Sequence, residues 1–247
     1  MNTLFWDGEM NYGWEDLSSF LNKTCDTFVS TMHDLIPLST NPQVERLITS
    51  ECMERYSNLT SLLSENIKEA DYYLVEDFDN TSQNAIKLNS WIILGSLTEA
   101  LLQIFIAFYL DDYQNTNWQQ WESFDKKTMQ DPIIQYIQTL ADSKVITPEQ
   151  SRSFKKAIKN TVKEHTSEHA IERVMIDELI QLYTSLNLID EDETFYLKMI
   201  QSNRYGIHSF QNRSIGTWND LQYATRFLCY FMERVMNHLP DIPDIEY

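Results

Sequence analysis

Apolar residues along the chain recur at spacings of three and four rather than two, which predicts helices almost throughout. Leu17, Leu21, Cys25, Phe28, Met32 and Leu35 share one face and stop before Pro37, predicting a first amphipathic helix. Asn41 followed by Pro42 is a cap with a first-turn proline. Val44, Ile48, Cys52, Leu59, Leu63 and Ile67 continue on one face, predicting a second, long helix. From about Leu88 to Tyr109 the pattern is apolar on most sides, as in a helix buried all round. Trp118 to about Ala141 predicts a fourth.

Thr147 to Gln150 reads as a Thr-x-x-Gln capping box, opening a helix through Phe154, Ile158 and Val162. Met175, Leu179, Leu182 and Leu186 form a further stripe that continues this helix or follows a break. Asp190 to Glu193 places carboxylates ahead of Phe195, Leu197 and Ile200, where they suit a helix N-terminus. Thr217 with Asp220 starts the last helix, whose stripe is Leu221, Ala224, Leu228, Phe231, Val235 and Leu239; Pro240 and Pro243 end it.

With 5 Gly and 6 Pro in 247 residues there is too little turn chemistry for a many-stranded sandwich or barrel. The fold class is therefore all-α. No repeat or Gly/Ser linker is visible. The organisation is read as an N-terminal helical extension, residues 1–81, packed on a helical domain at 82–247, with a weak boundary that leaves one domain open.

Charge narrows the function classes. With 19 Lys+Arg against 37 Asp+Glu the formal net charge is −18, which disfavours polyanion binding except at a localised basic site. Cys25, Cys52 and Cys229 are odd in number and far apart, so they read as reduced thiols of a cytoplasmic protein. Met1 to Glu9 is acidic and lacks the basic and apolar regions of a secretory signal. Trp91 to Leu110 has membrane-spanning length but carries Glu99 and Gln103 without flanking basic residues, so a buried core helix is expected. There is no GxGxxG, GxxxxGK[ST] or GxSxG, and no Glu three residues ahead of any histidine. These absences argue against a Rossmann site, a P-loop, a nucleophile elbow and a ferritin-like di-iron centre. No cofactor is expected.

His165, Glu168 and His169 match the zinc-hydrolase pattern HxxEH, but nothing singles out a third ligand, so a polar helix surface or an interhelical histidine pair is preferred. Arg152, Lys155, Lys156, Lys159 and Lys163 gather on one helical face, opposite Phe154, Ile158 and Val162. That face is either solvated or a contact for RNA phosphates. Glu99, amid Leu97, Leu101 and Leu102, needs a hydrogen bond, a cation or a proton if buried.

Arg204 and His208 at i and i+4 share a face if their segment is helical, with Asn203 beside them. A neutral imidazole can take a proton from a ribose 2′-hydroxyl or return one to the leaving oxygen, and a guanidinium can steady the phosphorane charge. The string Asn203 to Trp218, the acidic-then-apolar helix before it and the apolar helix after it resemble the arginine-histidine motif of the HEPN superfamily. These are α-helical domains of prokaryotic toxins, antiphage systems and CRISPR-associated ribonucleases. The helix containing Gly95 and Glu99 is similar to the HEPN helix that packs beside the motif. The resemblance covers about residues 82 to 240, and residues 1–40 have no obvious counterpart.

The resemblance implies a HEPN-like bundle with extra N-terminal helices and metal-independent endoribonuclease activity, in a composite site formed by a homodimer. His208 would be the general acid or base, Arg204 the phosphate-binding cation, and Asn203 or Glu99 a polar partner. The motif departs from the usual one: three residues separate Arg204 from His208, where four to six are common, and Asn203 stands where a four-residue gap would put the arginine. The same resemblance admits a noncatalytic HEPN-like module whose acidic surface binds a protein partner.

Overall fold

The computed structural model describes residues 13–39, 41–70, 80–114, 130–165, 171–205 and 215–239, and among them every regular element is helical. The helices are α1 (Trp14–Leu35), α2 (Pro42–Leu47), α3 (Ser50–Lys68), α4 (Asn80–Phe108), α5 (Leu110–Gln114), α6 (Gln130–Asp142), α7 (Pro148–His165), α8 (Ile176–Ser185), α9 (Glu191–Arg204) and α10 (Trp218–Asn237). Single 3-10 turns occupy Ile36–Leu38 and Ile171–Arg173. The all-α expectation holds.

Local chemistry explains most helix starts. At α7, Gln150 N donates to Thr147 Oγ1 over 3.2 Å and Thr147 N to Gln150 Oε1 over 2.9 Å. At α9, Glu193 N donates to Asp190 Oδ1 and Asp190 N to Glu193 Oε2 (2.8 and 2.9 Å). At α10, Thr217 and Asp220 make the same reciprocal pair. Each box satisfies N–H groups that a helix N-terminus leaves without intrahelical partners.

The long helix expected from Asn41 to Ile67 is in fact two. Ile48 leaves the helical region (φ −108°, ψ 81°), and Thr49 caps a new start by accepting from Cys52 N at 3.2 Å. A threonine side chain competing for backbone donors outweighs an apolar stripe that runs across the break. The fourth expected helix is described only from Gln130, residues 115–129 lying outside the described set.

The chain divides into two compact units, Met1–Tyr109 with Val174–Tyr247, and Leu110–Arg173. This division does not coincide with the boundary expected at 81/82. In the first unit α1 packs on α3 and α10, and α3, α9 and α10 all pack on α4, so the N-terminal helices share one core with the rest. The second unit contains the α6–α7 hairpin.

Helix α4 is the centre of the first unit. Trp91, Leu94, Leu97, Leu101 and Leu102 have no exposed surface, and Ile93, Ile104 and Ile106 are buried beside them. Among the described residues, α4 is long and apolar enough to cross a membrane, but its sides are occupied by the helices packed on it. Its hydroxyls are satisfied within the helix: Ser90, Ser96 and Thr98 donate to the carbonyls of Ile86, Ile92 and Leu94 at 2.8–2.9 Å. In the apolar stretch after Ser90, Gln103 and Glu99 find partners on other segments. Gln103 Nε2 donates to Val174 O at 3.2 Å.

Candidate functional site

Glu99 finds its partner in Arg204, whose Nη1 donates to Glu99 Oε2 in an ion pair. Arg204 is the last residue of α9 and Glu99 lies on α4, so the pair ties the end of one helix to the middle of the other. The side chains are 24% and 16% exposed, so the charges are partly withdrawn from water yet still reachable. The other guanidinium nitrogens of Arg204 make no hydrogen bond among the described residues. A guanidinium carries five N–H donors, so the pair with Glu99 leaves capacity for an oxyanion.

The stem of Arg204 runs over Gly95, one turn before Glu99 on the same face of α4. A Cβ at Gly95 would lie 2.6 Å from Arg204 Cδ and 3.1 Å from both Cβ and Cγ. Asn203 has its own glycine contact. A Cβ at Gly216 would lie 2.9 Å from Asn203 Oδ1, and Gly216 N donates to that oxygen at 2.6 Å. Asn203 Nδ2 donates back to Met199 O at 2.9 Å. The asparagine thus clasps the end of α9 to the residues that lead into α10.

Of the sequence candidates, the structure therefore brings Arg204 and Glu99 into contact and Asn203 next to them. Asn203 uses its side chain as a clasp, with both ends hydrogen-bonded to backbone, which differs from a group free to touch a substrate. His208 lies outside the described residues, as do Glu168 and His169, and nothing is described of the His165 side chain. Among the described residues no group of three or more His, Cys, Asp or Glu is disposed to hold a metal.

The basic face belongs to α7 in the second unit, whereas Arg204 and Glu99 belong to the first. Arg152, Lys156 and Lys159 are exposed; Lys155 is half-buried and donates to Gln138 of α6; the Lys163 side chain is not described. Phe154, expected on the apolar side, is 48% exposed.

Sequence reasoning missed a second arginine–glutamate pair. Glu193 Oε1 accepts from Arg234 Nη1 and, at 3.3 Å, from Tyr230 OH; Arg234 Nη2 donates to Leu188 O at 2.7 Å. Burial lowers the Arg234 pKa, against an opposing pull from Asp190. Its partners are 41 residues apart (234 − 193), and no local signal in the sequence joins them. A cleft of about 360 Å³ near the start of α3 is lined by His33, Glu45, Thr49 and Glu51 among others. Its carboxylates disfavour a phosphate ligand.

Compared with known proteins, the chain matches no family model, no curated protein and no solved structure.

Proposed function

We propose that this chain is a HEPN-like, metal-independent endoribonuclease of a toxin or defence type, working in the cytoplasm and cleaving RNA through Arg204 and His208. The observation that carries the proposal is the anchored Arg204: its guanidinium is fixed by Glu99, its stem lies over a glycine, and its remaining donors have no protein partner among the described residues. A half-buried arginine held in this way is preorganised for charge that develops on a phosphorane. The sequence supplies a proton carrier four residues on, at His208.

In this reading neutral His208 takes the proton of a ribose 2′-hydroxyl and the 2′-oxygen attacks the adjacent phosphorus. Arg204 binds the non-bridging oxygens, and the 5′-oxygen leaves with the proton that His208 took up, returned by its imidazolium. The products are a 2′,3′-cyclic phosphate and a 5′-hydroxyl. The α7 residues Arg152, Lys155, Lys156, Lys159 and Lys163 supply phosphate contacts. A homodimer formed through the helices next to the motif completes the site, and sedimentation at the monomer mass at micromolar concentration contradicts that part.

The experiment is cleavage of single-stranded RNA in EDTA, with DNA as control. RNA-specific cleavage that falls about a hundredfold in His208→Ala supports the reading, the size expected for a lost general acid or base. Intact RNA with clean wild-type protein across salt and pH overturns it.

The net charge of −18 and the neutralisation of Arg204 by Glu99 favour a second reading: a noncatalytic HEPN-like module whose acidic surface binds a basic protein partner. That module leaves RNA intact.

A further inference from the structure

We propose that Gly95 is a positioning residue for Arg204: the missing side chain in α4 is the seat that holds the arginine stem and directs its guanidinium onto Glu99. The functional importance of the seat rests on the reading of Arg204 as the phosphate-binding cation; its physical basis does not.

Glycine in a helix interior is unfavourable by about 1 kcal/mol relative to alanine, so its presence in a core helix calls for a packing reason. The chain has 5 glycines, and Gly95 lies midway along α4, between the fully buried Leu94 and Leu97. Three consecutive stem atoms of Arg204, Cβ, Cγ and Cδ, come within 3.1 Å of where an alanine Cβ would be. Rotation about the outer χ angles cannot relieve the contact at Arg204 Cβ, which moves only with its backbone. Adding one methyl group therefore forces the Cδ part of the stem to move and asks the end of α9 to give by a few tenths of an ångström, which displaces the guanidinium from its seat against Glu99 and weakens the pair. The backbone end of α9 has little freedom to shift, because Asn203 is hydrogen-bonded to Gly216 N and lies against Gly216. Two of the glycines, Gly95 and Gly216, thus lie directly against the adjacent residues Arg204 and Asn203.

The test is a set of urea titrations. With Arg204 present, Gly95→Ala should lower the folding equilibrium constant by about tenfold, the cost of a methyl forced into a packed contact. In Arg204→Ala the contact is gone, and Gly95→Ala should instead raise the constant by about fivefold, the gain from helix propensity. The double variant also covers the case in which Gly95→Ala alone fails to fold.

Positioning has a separate readout. The coupling between Glu99→Gln and Arg204→Ala in a double-mutant cycle should be measurable when Gly95 is intact and weakened in the Gly95→Ala background. A single-stranded RNA oligonucleotide in EDTA gives the functional arm, where Gly95→Ala should lower kcat by about tenfold or more with unchanged far-UV circular dichroism. A similar stability gain from Gly95→Ala with and without Arg204, or a Glu99–Arg204 coupling that survives Gly95→Ala undiminished, overturns the seat. Wild-type protein that leaves RNA intact while the stability effect still changes sign supports the seat and removes the nuclease reading alone.

Discussion

At the N-terminal end of α9, Glu193 accepts hydrogen bonds from the Asp190 backbone, the Tyr230 hydroxyl and Arg234, and its side chain is 4% exposed. At the C-terminal end, Arg204 pairs with Glu99 and makes no other hydrogen bond among the described residues. Both are arginine–glutamate pairs joining α9 to another helix. The first is nearly saturated: carboxylate and guanidinium each have further partners, and the buried Glu193 would be costly to leave unpaired, although Arg234 at 26% exposed is as open to water as Arg204. The second is fixed on one side and has no further partner among the described residues on the other. Saturation suits a structural clamp, whereas an anchored cation with unused donors suits ligand binding.

Substitutions at the two ends of α9 put this contrast at risk. Removing the buried carboxylate by Glu193→Ala strands Arg234 and dismantles the capping box, and should cost about 3 kcal/mol in urea denaturation. A loss below about 1 kcal/mol would mean that the N-terminal pair is no clamp. Next in size is Asn203→Ala, which releases Gly216 N and should cost about 1.5 kcal/mol, within the range for an unmade hydrogen bond to a half-buried donor. Arg204→Ala should cost only about 1 kcal/mol, since Glu99 keeps some access to water. If it costs as much as Glu193→Ala, the two ends of α9 are alike and the contrast collapses.

A still smaller change concerns the middle of α9. Tyr196 stacks on Phe227 with ring centroids 5.2 Å apart, and its pKa is pushed up to about 12, first by burial and then by Asp192 and Tyr223. The folded state therefore holds the phenolic proton more tightly than the unfolded state does. The contribution is complete below about pH 10, the ordinary tyrosine value, and is lost as pH rises through about 12. Stability measured across that window should fall less steeply in Tyr196→Phe than in wild type. An unchanged slope would mean that the folded state holds the Tyr196 proton no more tightly than the unfolded state.

Much of the fold is legible because its signals are local. The boxes at Thr147, Asp190 and Thr217 are written within four residues each, and the α10 stripe from Leu221 to Val235 is buried as its spacing implies, with Leu239 buried just past the helix end. The break at Thr49 was hidden because Val44, Ile48 and Cys52 keep helical spacing across it, so periodicity alone passes over a cap. The site was half legible. Glu99 stood out as a carboxylate in an apolar run, and Arg204 through its motif, but their contact spans 105 residues and required the packing of α9 on α4. The roles of Gly95 and Gly216 were illegible, because a missing side chain acquires meaning only from what lies over it. The buried role of Glu193 was concealed among four consecutive carboxylates that read together as a helix start.

The central claim, that Arg204 serves a ligand and not the fold, is tested most directly by following RNA cleavage in EDTA and thermal unfolding on the same preparations of wild type and Arg204→Ala. The account predicts products ending in a 2′,3′-cyclic phosphate with wild type, a rate about a hundredfold lower in the variant, and a Tm within about 4 °C of wild type. Intact RNA with wild-type protein, equal rates for the two proteins, or a rate loss that merely follows a collapse in Tm would contradict it.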